Sequence, residues 1–168
     1  MNYLKQFPEE IQVQVLRDML VQELLDEQLK MINYEAYLIR FIEDPSEKMQ
    51  LSVVKQNGHF IEYIKEPSEK VQLAAVTQDG YALLYIKDPS EKVQLAAVTT
   101  YGSSISQIED PSEKVQLAAV TKNGESIQYI KNPSILVQLA AVTCDGTSIQ
   151  FIKDPSILVQ LVAKLNVF

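Results

Sequence analysis

The chain has 168 residues, 46% of them hydrophobic, and a formal net charge of −7 at pH 7. This length suits one domain or one continuous array, and the apolar content excludes a disordered chain. The negative charge argues against sequence-independent binding to nucleic acid or anionic membranes. With a single cysteine and no long apolar run, we expect a protein of the cytoplasm, or of a host cytoplasm if it is viral.

Residues 1–44 carry most of the acidity, with nine acidic and four basic residues, a net charge of −5. Pro8 begins an apolar-rich segment, which predicts an N-terminal helical cap over residues 1–22. Phe41 and Ile42 stand 22 residues before Tyr63 and Ile64. Residues 23–44 are therefore interpreted as a degenerate first repeat.

Residues 45–168 repeat every 22 residues. The markers are prolines and glycines: Pro45, Pro67, Pro89, Pro111, Pro133 and Pro155, and Gly58, Gly80, Gly102, Gly124 and Gly146. A period of this length is typical of stacked arrays, in which each unit buries its apolar surface against its neighbours. This predicts five full repeats and a C-terminal half repeat in one continuous solenoid domain.

Each repeat begins with helix signals. Asp88 is the predicted N-cap, Pro89 the first helical residue and Glu91 the capping-box partner. A helix of about three turns should follow. It should end at Gly102 in a left-handed cap, and a short α or 3-10 helix should come next. The expected fold is all-α, because the adjacent alanines and the Asp-Pro-Ser-Glu start count against a parallel β-helix.

The run Asp-Pro-Ser-Glu-Lys-Val-Gln-Leu-Ala-Ala-Val, with its following glycine and short apolar segment, resembles known repeats. It resembles the small helical repeats of variant leucine-rich type and is similar to the uncharacterised Ala-Ala-Val-x-x-x-Gly repeats of phages, giant viruses and bacteria. The likeness covers residues 45–168 well and 23–44 weakly. It implies a right-handed α-solenoid and implies no activity.

Three further ladders follow the same period. The glutamines are expected to form structural hydrogen bonds to the Asp-Pro-Ser turn of an adjacent repeat. They are Gln50, Gln72, Gln94, Gln116, Gln138 and Gln160. The aromatic residues at 41, 63, 85, 129 and 151 are assigned to the core rather than to base stacking, given the acidic charge. The glutamates at 47, 69, 91 and 113 are assigned to capping rather than to mimicry of nucleic-acid phosphates, because a lysine follows each of them.

Catalytic and metal-binding patterns are missing from the sequence. His59 is the only histidine and Cys144 the only cysteine, so each lacks the partners of a triad or a metal site. Both are interpreted as bystanders at or near the surface. We therefore expect no enzyme, no cofactor and no bound metal.

The last two repeats depart from the consensus. Glu-Lys becomes Ile135-Leu136 and Ile157-Leu158, at positions that carry charge elsewhere and so should be exposed. The predicted protein interface comprises Ile135, Leu136, Ile157, Leu158, Leu165, Val167 and Phe168. The alternative is that these side chains pack on each other to close the array. Because no polar capping helix follows, we favour an interface and expect a homodimer.

Residues near the glycines vary from repeat to repeat and are predicted to line one edge, which we call the variable edge. Its candidates are His59, Phe60, Tyr81, Tyr101, Ser103 and Glu125. Tyr101 either replaces the aromatic ring missing at Gln107 or serves as an exposed anchor for a partner.

The sequence thus favours a non-enzymatic protein-binding α-solenoid that associates with itself through its C-terminal repeats. The alternative is an acidic inhibitor, of a kind that a phage could encode, that blocks a basic nucleic-acid-binding or defence protein of a host. Neither hypothesis includes direct binding to nucleic acid or to a membrane.

Overall fold

The computed structural model describes residues 8–166 and is an α-solenoid in which long and short helices alternate. The long helices are α1 (Glu9–Tyr34), α2 (Glu47–Gln56), α3 (Glu69–Gln78), α4 (Glu91–Thr100), α5 (Glu113–Lys122), α6 (Ile135–Cys144) and α7 (Ile157–Leu165). The short 3-10 helices are η1 (Ala36–Phe41), η2 (Gly58–Tyr63), η3 (Gly80–Tyr85), η4 (Gly102–Gln107), η5 (Gly124–Tyr129) and η6 (Gly146–Phe151). No strand occurs between residues 8 and 166. The predicted all-α repeat is confirmed, whereas its right-handedness stays a prediction.

The predicted helix start was wrong by two residues. The N-cap of α4 is Ser90, whose hydroxyl accepts from the Val93 amide at 3.4 Å. The equivalent serine caps α2, α3, α5, α6 and α7. Asp88 instead has a left-handed backbone with φ of 48°. Pro89 therefore belongs to the preceding turn, and a serine two residues after the aspartate satisfies the free amide of the helix.

The glycines do not form left-handed caps, because no described glycine has a positive φ. Each one begins a 3-10 helix and lies against the next repeat. A Cβ on Gly80 would stand 2.6 Å from the Ala97 carbonyl oxygen and 2.6 Å from Ser104 Oγ. The glycine is needed because two repeats approach closely at this point.

The core consists of the same positions in every repeat. In α3 the buried side chains are Val71, Ala75 and Val76. In each 3-10 helix the first and fourth positions and the residue after the helix form a row three residues apart, and in the repeat that begins at Pro45 this row is the buried Gly58, Ile61 and Ile64. This spacing is the period of a 3-10 helix, so these residues share one face. Stacking of equivalent faces makes the core continuous along the array.

The glutamine ladder is structural, but its partner lies within the same repeat. Gln72 Nε2 donates to the Pro67 carbonyl at 2.9 Å, and the other five glutamines donate to the equivalent proline carbonyl at 2.8–3.0 Å. The expected bond to an adjacent repeat was wrong. A glutamine in the first turn of the helix folds back onto its own repeat and ties the proline to the helix.

Helix α1 runs without interruption from Glu9 to Tyr34 and so crosses the predicted boundary at residue 22. Only its C-terminal end packs against the array, through contacts with η1 and α2. Ile32 is fully buried there. Residues 8–27, which we call the acidic segment, have no buried residue among those whose burial is described.

Candidate functional site

The C-terminal repeats expose a group of large apolar side chains on α6 and α7. Exposure ranges from 54% to 78% of each residue's full surface. We name this group the C-terminal apolar patch, and its members are Ile135, Leu136, Ile157, Leu158, Leu161 and Leu165. The structure thus places five of the predicted interface residues at the surface, and it adds Leu161. Val167 and Phe168 lie outside the described residues.

The first turn of each helix explains why the patch is exposed. Ser134 and Ser156 cap α6 and α7, so the next two residues of each helix lie in its first turn and point outward. In the earlier repeats these two positions carry Glu and Lys. Charged residues therefore suit the positions well, and folding does not require apolar residues there.

In the earlier repeats the same positions link neighbouring helices. Glu47 accepts from Ser68 Oγ at 2.8 Å and pairs with Lys70 Nζ at 2.9 Å. Glu69 accepts from Ser90 Oγ at 2.7 Å and pairs with Lys92 at 3.4 Å. The glutamates therefore bridge repeats and do not close a capping box, which corrects the capping assignment.

These bridges lower the pKa of both carboxyl groups. For Glu47 the main cause is the hydrogen bond from Lys70, followed by that from Ser68. For Glu69 the hydrogen bond from Ser90 comes first, and Lys92 adds to it. The pairing of Glu47, Glu69 and Glu91 with lysines leaves little free negative field along most of the ladder, which disfavours phosphate mimicry.

The ladder of bridges ends at the patch. Glu113 still accepts from Ser134 Oγ at 2.5 Å, but Leu136 replaces the lysine that would pair with it. Ile135 then replaces the glutamate that would bond to Ser156. The apolar substitutions thus remove inter-repeat bonds at the C-terminal end, where they give an exposed apolar surface instead.

The structure brings some residues of the variable edge into contact and leaves others apart. Tyr81 and Tyr101 stack with their ring centroids 5.6 Å apart, and the Tyr81 hydroxyl lies 2.5 Å from Ser103 Oγ. Tyr101 is 46% exposed, so it packs on a neighbouring ring at the surface and does not fill the core near Gln107. Glu125 is exposed in a later repeat and joins neither ring.

His59 lies in a separate group on the same edge. Its Nε2 is 3.0 Å from Asp79 Oδ2, and its ring meets that of Tyr85 edge-on at 5.6 Å. Phe60 is half-buried, with its ring 6.1 Å from that of Tyr63. A histidine–aspartate pair could orient an imidazole, but there is no nucleophile in contact with it among the described residues.

The aromatic ladder was wrongly assigned to the core. Tyr63, Tyr85, Tyr129 and Phe151 are 37–46% exposed, and Phe41 is 69% exposed. The buried face of each 3-10 helix repeats every three residues, and the aromatic residue lies off that face. The three-residue spacing of glycine and isoleucine in the sequence was the signal that could have shown this.

Three of these aromatic side chains each border a surface cleft. The clefts are equivalent along the array, with volumes of about 230, 400 and 510 Å³, and are lined by Tyr63, Tyr129 and Tyr85 respectively. Tyr85, for example, lines its cleft together with Pro67 and Gln72 of the same repeat and Glu66 of the preceding one. The row of clefts gives the solenoid a second recurrent surface, which sequence reasoning missed.

The acidic segment is the other exposed apolar region. Ile11, Val13, Leu16, Met19 and Leu20 are each 47–67% exposed. The same segment contains six acidic residues and one arginine, a net charge of −5. Exposed apolar side chains are therefore interspersed here with carboxylates.

Cys144 is exposed, and its sulfur lies 3.5 Å from the Thr121 carbonyl oxygen. No cluster of three or more histidine, cysteine, aspartate or glutamate side chains suited to a metal ion occurs in the described part of the chain. Among the helices of residues 8–166, none is both long and apolar enough to cross a bilayer.

Comparison with models of known protein families finds no match, and comparisons with curated proteins and with solved structures find none either. The candidate sites therefore depend on the geometry of this chain alone.

Proposed function

We propose that the chain is a non-enzymatic, protein-binding solenoid that associates with other copies of itself through its C-terminal repeats. The observation that supports this most is the C-terminal apolar patch. All six of its residues are more than half exposed. Exposed apolar surface concentrated in this way is typical of interfaces. The non-enzymatic character is supported by the sequence, in which the single histidine and single cysteine lack catalytic partners.

The test restores the consensus at four positions. A variant with Ile135→Glu, Leu136→Lys, Ile157→Glu and Leu158→Lys should remain folded, because earlier repeats carry these residues in the same turn. We expect it to be monomeric by light scattering where the native chain is associated. Leu84→Gln is the matched control, since Leu84 is a 62% exposed leucine in a central repeat. It should leave association unchanged, and equal association of the fourfold variant and the native chain would contradict the proposal.

A second candidate is favoured by the acidic segment. An exposed helix with a net charge of −5 is suited to a basic protein surface, such as that of a nucleic-acid-binding or defence protein. Binding that weakens strongly between low and high salt would support this candidate. Binding that is insensitive to salt and depends on Ile135 and Ile157 would support the apolar patch.

A further inference from the structure

Within residues 8–166, the first and the last long helix each carry an apolar stripe that no other helix covers. In α1, Val13, Leu16, Leu20 and Leu24 follow helical spacing and so lie on one face. Each is 47–67% exposed. Within residues 8–166, α1 contacts only η1 and α2, and these contacts involve its C-terminal end. We call these four residues the α1 stripe.

The second stripe lies on α7. Ile157, Leu161 and Leu165 stand four residues apart and are 77%, 54% and 78% exposed. The opposite face, with Val159 and Ala163, is buried against α6 and η6. We call these three residues the α7 stripe. It lies within the C-terminal apolar patch, so any contact made through it rests on the proposed self-association.

Lys164 distinguishes the α7 stripe from the surface between two ordinary repeats. The equivalent residues of α3 to α6 are Val76, Val98, Val120 and Val142, and all four are fully buried. Lys164 is exposed and forms no ion pair with the acidic side chains that the structure describes. It stands three residues after Leu161 and seven after Ile157, so it borders the α7 stripe.

The α1 stripe is bordered by an acidic residue with the same spacing that Lys164 has on α7. Glu23 stands three residues after Leu20 and seven after Leu16, so it borders the same face. The sequence of α7 contains no acidic residue, whereas the acidic segment has a net charge of −5. Arg17, three residues before Leu20, borders this face too, but the acidic segment keeps its net charge of −5, so the two stripes are complementary in charge as well as apolar.

Charge also decides among the possible pairings of two copies. Contact between two α1 stripes would bring together two segments of net charge −5 each. Contact between two α7 stripes would place two copies of Lys164 in one interface and leave both α1 stripes exposed. Contact between α1 and α7 covers both kinds of stripe and allows Glu23 of one copy to pair with Lys164 of the other.

We propose that the α1 stripe of one copy docks on the α7 stripe of another, head to tail. The interface is then heterologous, and repeated contacts produce an open chain or a closed ring instead of a symmetric dimer. The association continues beyond two copies as concentration rises.

Complementary variants test this directly. One variant carries Leu16→Gln, Leu20→Gln and Leu24→Gln, and the other carries Ile157→Gln, Leu161→Gln and Leu165→Gln. All six positions are exposed and glutamine is a good helix former, so both variants should fold, which circular dichroism checks. By sedimentation velocity each should be a monomer alone. An equimolar mixture should form a heterodimer of twice the 19.0 kDa monomer mass and nothing larger.

Two outcomes overturn the proposal in distinguishable ways. If the α1 variant alone still forms dimers, the contact is between α7 stripes; association through the C-terminal repeats then stands and the head-to-tail contact fails. If the native chain is monomeric at ~100 μM, any association is weaker than that dissociation constant and both fail.

An exchange of charges tests whether Glu23 of one copy lies next to Lys164 of the other. Glu23→Lys and Lys164→Glu should each weaken association of the native chain about two- to fivefold, as expected for a solvent-exposed pair. The double variant should recover the native affinity. Failure of the double variant to bind more tightly than either single variant would overturn the pairing of these two residues.

Discussion

Three buried serine hydroxyls have no hydrogen-bond partner among the described residues. They belong to Ser104, Ser126 and Ser148, all at most 1% exposed. Ala82 occupies the same position in an earlier repeat, so the hydroxyl is not needed for packing. A buried hydroxyl without a partner destabilises the fold, because it loses its bonds to water and gains none.

Ser126→Ala should therefore raise the free energy of unfolding by about 1 kcal/mol. Ser112→Ala is the matched control, because Ser112 caps α5 and also donates to Glu91. It should lower that free energy by about 1 kcal/mol. Urea denaturation measures both, and a loss of stability in Ser126→Ala would show that the hydroxyl has a partner.

The backbone of Glu66 is left-handed, a conformation that favours asparagine over glutamate. Glu66 precedes Pro67 with φ of 49°, in the left-handed region, whereas the equivalent residue Asn132 has φ of 50° and a side chain suited to it. Glu66→Asn should raise the free energy of unfolding by about 1 kcal/mol. Thermal denaturation checks it against Glu66→Gln, which removes the same charge without favouring a left-handed backbone. A midpoint for the asparagine variant no higher than that of the glutamine variant would contradict it.

The residue at which each helix begins could not be predicted from local sequence rules. Asp88-Pro89 and Ser90 both fit a helix N-cap, and only the structure shows that serine is used. Local sequence rules do not separate the two, because they leave out the hydrogen bond that Ser90 also donates to Glu69 of the preceding repeat. The existence and spacing of the helices could be predicted, whereas the residue at which each begins could not.

At the scale of helices, the glutamate bridges make stability depend on pH. The pKa values of Glu47 and Glu69 lie below the ordinary 4.5. Their contribution is therefore complete above about pH 4.5 and is lost as pH falls through the lowered values. Between about pH 6 and about pH 3 the native chain should lose more stability than a Glu47→Gln and Glu69→Gln variant.

Urea denaturation at several pH values measures this difference. Glu125→Gln is the control, since the Glu125 carboxylate forms no hydrogen bond or ion pair within the described ranges. Identical pH profiles for the native chain and the double variant would contradict the contribution of the bridges.

The glycine that begins each 3-10 helix after η1 lies too close to the next repeat to accept a larger side chain without displacement. Gly80→Ala would place a Cβ 2.6 Å from the Ala97 carbonyl oxygen, which is part of the backbone and cannot rotate away. We expect it to lower the free energy of unfolding by about 1–3 kcal/mol. Adding Ser104→Ala removes the other close atom and should recover part of the loss, as urea denaturation would measure. A fully stable Gly80→Ala variant would show that the repeats can separate without cost.

The candidate sites were predictable to different extents at this scale. Exposure of Ile135 and Ile157 could be predicted from the charged residues at equivalent positions of earlier repeats, because equivalent positions of a repeat have similar exposure. Exposure of Tyr63 and Tyr85 would follow only from treating the segment as a 3-10 helix, in which the glycine and isoleucines three residues apart share one face, and the sequence leaves open whether this segment is an α-helix or a 3-10 helix.

Over the whole molecule, exposed aliphatic side chains are concentrated at the two ends. Among the described residues between 45 and 132, the exposed large apolar side chains are tyrosines and Leu84. The period of the repeat could be predicted from the sequence, but the exposure of the acidic segment could not. Its apolar residues predict a packed cap, whereas Ile11, Met19 and Leu20 are exposed on an uninterrupted α1.

The most direct test of self-association is the mass of the unmodified chain as a function of its concentration. Sedimentation velocity from ~1 to ~100 μM spans the range in which any contact tighter than the upper value is populated. We predict a weight-average mass that rises above the 19.0 kDa of one chain as concentration increases. A constant mass of 19.0 kDa across the whole range would contradict self-association.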